Sequence, residues 1–85
     1  MAIIIARICN MAFSSEIKKI RQKAFLSQQA FAKELDVAFS TVNRWESGKA
    51  CPNITIMKRI KDFCDKNSFH FDTLEEAWIN RKEKE

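Results

Sequence analysis

Residues 27 to 49, SQQAFAKELDVAFSTVNRWESGK, hold two short apolar-patterned helices with a single tight turn between them. So short a connection leaves the pair few ways to pack. The first helix opens at Ser27, whose hydroxyl can cap free backbone N–H groups, and it sets Phe31, Ala32 and Leu35 at helical spacing on one side. Asp36 and Val37 form the break. At about 100° per residue, Ala38, Val42 and Trp45 of the second helix gather on its inner side, and Ser40, Asn43, Arg44 and Ser47 gather opposite. Phe39 and Glu46 share one flank. Gly48 follows where a helix end commonly needs a left-handed residue, and Pro52 stops any continuation.

Two readings of the polar outer face stand side by side. It can be the solvated surface of a small bundle, or it can be a face that reads nucleic acid. Asn and Arg each make bidentate contacts, with adenine and guanine respectively, and Ser40 and Thr41 can serve base or phosphate. Lys and Glu, the usual filler of an idle helix surface, are absent from that face.

The order of residues from Ile17 to Phe63 resembles the phage repressor and Cro type of helix-turn-helix, the XRE family of bacterial regulators. The likeness rests on Arg21, the Leu26-Ser27-Gln28 entry, Leu35 before the turn, the run from Ser40 to Lys49, and Pro52. It implies an all-α, five-helix, lambda-repressor-like DNA-binding bundle in which helix 2 crosses the DNA backbone and helix 3 enters the major groove. Carried over residue by residue, it implies base reading by Phe39, Ser40, Thr41, Asn43 and Arg44. Phosphate contacts are implied for Gln28, Ser47 and Lys49. Gln28 would also brace the recognition helix, and Arg21 with Glu46 would form a structural ion pair. For Phe39 two roles stay open, packing on a thymine methyl or covering the end of the core. Lys49 reads equally as an ordinary solvated lysine.

The chain departs from that pattern at two positions. Phe25 and Asp36 stand where glycine is usual. Asp tolerates the left-handed region at modest cost, so the turn survives. Phe25 is expected to take an extended conformation and pack inward instead.

Charge supports the same half of the chain. The formal net charge is +4, and residues 67 to 85 hold three basic and five acidic groups, which leaves residues 1 to 66 at about +6. That half would attract phosphate. One small domain is expected from 85 residues. It divides into an N-terminal arm over 1–13, the helix-turn-helix domain over 14–80 and a charged tail over 81–85. Ser14 or Ser15 can cap helix 1, which buries Ile17, Ile20 and Ala24. Asn53 can cap helix 4, with Ile56, Ile60 and Phe63 inside. Asp72-Thr73-Leu74-Glu75 reads as a capping-box-like start to helix 5, with Leu74 and Trp78 buried.

The arm is apolar and β-branched through Ile3, Ile4, Ile5 and Ile8, but too short for a membrane span and a poor signal peptide. Three readings stay open: a strand pairing with its twin across a dimer, an arm packed on the bundle, or translated material upstream of a start at Met11.

Cys9, Cys51 and Cys64 are odd in number and widely spaced, which suggests a reducing cytoplasm and buried or idle thiols. With His70 the lone histidine, no metal site and no cofactor are expected. The chain has no P-loop, no G-x-S-x-G and no credible pair of catalytic carboxylates, so it is not expected to be an enzyme. The resemblance implies a cytoplasmic, nucleoid-associated regulator of bacterial or phage origin, most simply a repressor. It would bind a palindromic double-stranded DNA operator as a homodimer. A second class of function is a protein-interaction module or antitoxin, which would use Phe69, Phe71, Trp78 and the arm to hold a partner such as a toxin.

Overall fold

The computed structural model describes residues 11–81. These form α1 (Met11–Lys23), α2 (Gln28–Leu35), α3 (Phe39–Glu46), α4 (Ile54–Lys66) and α5 (Asp72–Ile79), with no strand among the described residues. The fold class is therefore all-α, as the hydrophobic spacing predicts. The strand reading of the arm concerns residues that lie almost wholly outside the described range; Met11 to Phe13 form the first turn of α1.

An isolated helix of eight residues is not stable in water, so α2 and α3 depend on what they bury. From α2 come Phe31, Ala32 and Leu35, and from α3 Val42 and Trp45, each 2 % exposed or less. Phe13 and Ile17 of α1, Ile60 of α4 and Leu74 of α5 complete the center of the core. Burying a side chain such as Val42 or Leu35 contributes roughly 1.5–3 kcal/mol. Sequence spacing missed Met57 and Cys64, both buried on α4. Ala38, expected inside, is the exposed N-cap of α3. Phe69, Phe71 and Trp78 pack against the core, which leaves less of them for a partner than the interaction-module reading needs.

Four of the five helices end in one way. Phe25, Asp36, Gly48 and Ser68 all have positive φ, at 58°, 57°, 78° and 58°. In each case the next residue donates its N–H to the carbonyl five positions back: Leu26 to Arg21, Val37 to Ala32, Lys49 to Arg44 and Phe69 to Cys64, at 2.8–3.2 Å. This is the left-handed closure that uses orphan carbonyls at a helix C-terminus.

At Phe25 the closure overturns the expectation of an extended, inward-packed residue. Its backbone is left-handed and its side chain is 94 % exposed. The need to end α1 and bring Leu26 back over Arg21 outweighs the preference of a bulky side chain. Because glycine takes this conformation without steric cost, Phe25→Gly is expected to raise unfolding free energy by about 1 kcal/mol in urea titration. A loss of stability would mean that the ring makes contacts worth more than the strain.

The capping expectations divide. Ser27 accepts from the Ala30 N–H at 3.1 Å, and Asn53 accepts from the Ile56 N–H at 2.9 Å. Ser14 and Ser15 are not caps: α1 starts at Met11, and the buried Ser14 donates its hydroxyl to the Met11 carbonyl. The reason is Phe13, whose full burial draws the helix start upstream. Helix α5 has Phe71 at its N-cap with no side-chain cap bond, so Asp72 and Glu75 lie within the first turn, where negative charge suits the helix dipole.

The cysteines differ from one another. Cys64 is buried and free, and burial pushes its thiol up to about 11, with Asp65 adding to the rise and Lys23 opposing it. A native protein is therefore expected to resist iodoacetamide at Cys64 near pH 8 and to react there once unfolded, as peptide mass mapping would read. Equal labelling of both states would contradict its burial. The unfolded thiol ionises before the folded one, so this group withdraws stability as pH rises from about 9 toward 11. Cys51 is disulfide-bonded, which corrects the expectation of idle thiols. Pairing depends on proximity in space, to which sequence spacing is a poor guide. Cys9 lies outside the described residues.

Candidate nucleic-acid interface

Helices α2 and α3 meet across three residues, Asp36 to Ala38, and the turn between them is held from outside. Arg59 of α4 donates through Nη1 to the carbonyls of Leu35 and Asp36 at 3.1 and 3.2 Å. These are carbonyls at the C-terminal end of α2, where a cation also meets the negative end of the helix dipole. Nothing in the sequence points to Arg59, because its partners lie 23 and 24 positions away and are backbone atoms.

With Val42 and Trp45 fixed inside, the opposite side of α3 faces outward. Ser40, Asn43 and Arg44 are exposed, Thr41 is half-buried, and Phe39 is 47 % exposed at the start of the helix. Phe39 is not among the side chains packed against the core. Ser47 is exposed, but its hydroxyl donates to the carbonyls of Asn43 and Arg44 at 2.9 and 3.3 Å, so its single proton is engaged within its own helix. Lys49 is exposed just beyond the Gly48 closure, and Gln28 is half-buried in the first turn of α2.

Behind this face lies a continuous polar network. Arg21 donates from Nε to one oxygen of Glu46 at 2.6 Å and from Nη2 to the other at 2.9 Å, a bidentate pair. Its Nη1 donates to the Leu26 carbonyl at 2.9 Å, so the same guanidinium joins α1, the entry to α2 and the end of α3. The side chains of Arg21 and Glu46 are 14 % and 5 % exposed. The hydrogen bond to Glu46 raises the Arg21 guanidinium above its ordinary range, against the opposing effect of burial. Gln28 donates from Nε2 to Glu46 Oε1 at 3.0 Å, and Asn43 donates from Nδ2 to Gln28 Oε1 at 3.2 Å. The structure thus brings together Arg21, Gln28, Asn43 and Glu46 from three helices. The link from Gln28 to Asn43 was not legible in the sequence.

Among the described residues no cluster of His, Cys, Asp or Glu could hold a metal ion, and no helix is long and apolar enough to cross a membrane. What the site offers is a convex polar helix with amide, guanidinium and hydroxyl groups outward. Such groups suit hydrogen bonding to base edges and phosphates, and no nucleophile or general base is set in a cleft among them.

Comparison with known proteins bears on the same segment. Residues 17–69 match a family described as helix-turn-helix. The chain is 34 % identical over 53 residues to the HTH-type transcriptional activator BcrR of Enterococcus faecalis, an alignment that covers 62 % of this chain and 26 % of the relative. The aligned segment thus spans about a quarter of that relative's length. No solved structure matches.

Proposed function

Because the chain belongs to the XRE-type helix-turn-helix family, we propose that it binds double-stranded DNA in a sequence-specific manner and regulates transcription. The observation that carries this reading is the outward face of α3, where Asn43 and Arg44 stand exposed on a helix pinned from behind by Val42 and Trp45. In this reading α3 enters the major groove. Ser40, Thr41, Asn43 and Arg44 meet base edges, and the exposed ring of Phe39 packs on a thymine methyl. Gln28 and Lys49 meet phosphates flanking the groove, and Ser47 joins them by exchanging its helix bond for a phosphate oxygen.

A helix of eight residues spans only a few base pairs. A homodimer on two half-sites about one helical turn apart supplies the remaining affinity and makes the operator palindromic. Repression by covering a promoter is the simplest consequence. The matched relative is named an activator, and the same DNA-reading face serves either direction according to where the operator lies.

Selection of bound duplexes from a random-sequence library, at near-physiological salt, tests the reading. A palindromic motif enriched by the native protein and lost in the Asn43→Ala/Arg44→Ala variant is the expected result. Affinity should also fall steeply as salt rises, since phosphate contacts release counterions. No motif together with salt-insensitive binding would reject the proposal.

A further inference from the structure

We propose that Glu46 is a positioning residue for base specificity: acting through Gln28, it fixes the Asn43 amide so that this side chain selects adenine. The inference rests on the DNA-reading function above and names the base that one residue of that face recognises.

The argument follows hydrogen-bond polarity along the network. An ionised carboxylate only accepts hydrogen bonds, and a guanidinium only donates them. Glu46, held on both oxygens by Arg21, is therefore an acceptor at its contact with Gln28. Gln28 must turn its NH2 toward Glu46, which leaves its carbonyl oxygen facing Asn43. An amide oxygen cannot donate, so Asn43 must in turn direct its NH2 to Gln28. Rotating either amide by half a turn would set oxygen against oxygen or NH2 against NH2. The charge on Glu46 thus decides the orientation of an exposed side chain on α3, two links away.

An exposed asparagine with no such partner has a broad, roughly two-fold terminal torsion and offers its oxygen and its NH2 in either order. With one N–H committed to Gln28, Asn43 retains Oδ1 as an acceptor and a second N–H as a donor. That pair matches adenine, which presents the N6 amino donor beside the N7 acceptor. Guanine presents two acceptors, O6 and N7, and thymine presents O4 alone, so neither satisfies the fixed amide. In free protein the Asn43–Gln28 bond is exposed and adds little to stability. Its effect arises in the complex, where water is excluded and a reversed amide leaves buried polar atoms unpaired.

The experiment uses four duplexes that differ only at the base pair whose preference is lost in Asn43→Ala. Native protein is expected to favor adenine there by about tenfold or more. Glu46→Gln, which can present either oxygen or NH2 to Gln28, and Gln28→Met, which ends the relay while leaving the Arg21–Glu46 pair intact, should each reduce that preference to about threefold or less. Preferences at the other base pairs should persist. Gln28→Met decides the matter if Glu46→Gln does not fold, and its melting temperature should stay close to the native value. Loss of affinity by one common factor on all four duplexes, with the adenine preference intact, would overturn the inference and assign the network a purely structural role. Native preference for guanine or thymine at that pair would also overturn it while leaving sequence-specific reading in place. Absence of any preferred sequence would remove the DNA-reading function and this inference with it.

Discussion

Arg21→Ala is expected to lower the free energy of unfolding by about 3 kcal/mol, which for a domain of this size corresponds to roughly 15 °C in melting temperature. The Glu46 carboxylate is 5 % exposed, and Arg21 supplies two of the three donors that reach it. Removing the guanidinium leaves a nearly buried charge with Gln28 alone, and it also frees the Leu26 carbonyl. Most of the cost comes from stranding the partner rather than from the net worth of the pair. The double variant Arg21→Met/Glu46→Leu is accordingly expected to recover most of the loss, since apolar side chains of similar volume can replace a buried ion pair. A loss below about 1 kcal/mol in Arg21→Ala would place the pair among exposed bridges that stabilise little. Adenine preference should survive Arg21→Ala below its melting temperature, because Glu46 remains an acceptor. Stability and specificity thus depend on different sides of one carboxylate.

Arg44→Ala should cost about 1–3 kcal/mol at a cognate site, read by fluorescence anisotropy as a 5- to 150-fold weaker Kd, and should relax the preference at one base pair. Arg44 is exposed and makes no hydrogen bond through its guanidinium among the described residues, so its truncation should leave the fold unchanged. The comparison with unrelated DNA is decisive. A phosphate-contacting residue weakens all sequences alike, whereas a base-reading residue weakens the operator far more than the competitor. Equal loss on both would move Arg44 from the reading group to the positioning group.

Local rules reached far in this chain. Ser27 and Asn53 were legible as caps because each bond joins a side chain to a backbone N–H three residues on, a relation that sequence spacing contains. Val42 and Trp45 were legible as the inner side of α3 by helical period alone. The failures have a common origin in tertiary contacts. Burial of Phe13 moved the start of α1 past two serines with good capping chemistry. Phe25 took a conformation its own propensity opposes because α1 and α2 must meet at that angle. Arg59 braces the turn through carbonyls that carry no side-chain signature. At the interface the residue types were legible, but the order of donors and acceptors among Arg21, Glu46, Gln28 and Asn43 was not. That order exists only once three helices are assembled.

The uniform left-handed endings of α1 to α4 also bear on how such a protein can change over generations. Each closure ties a residue to a carbonyl a fixed number of positions back, so chain length between the helices is locked. A residue inserted between Asp36 and Phe39 would either sever the Val37–Ala32 bond or turn α3 by about 100°, carrying Val42 and Trp45 out of the core. Lengthening a loop, the commonest route by which other folds acquire new binding partners, is closed to this segment. New operators can be acquired only by exchanging side chains on a frame whose spacing stays constant.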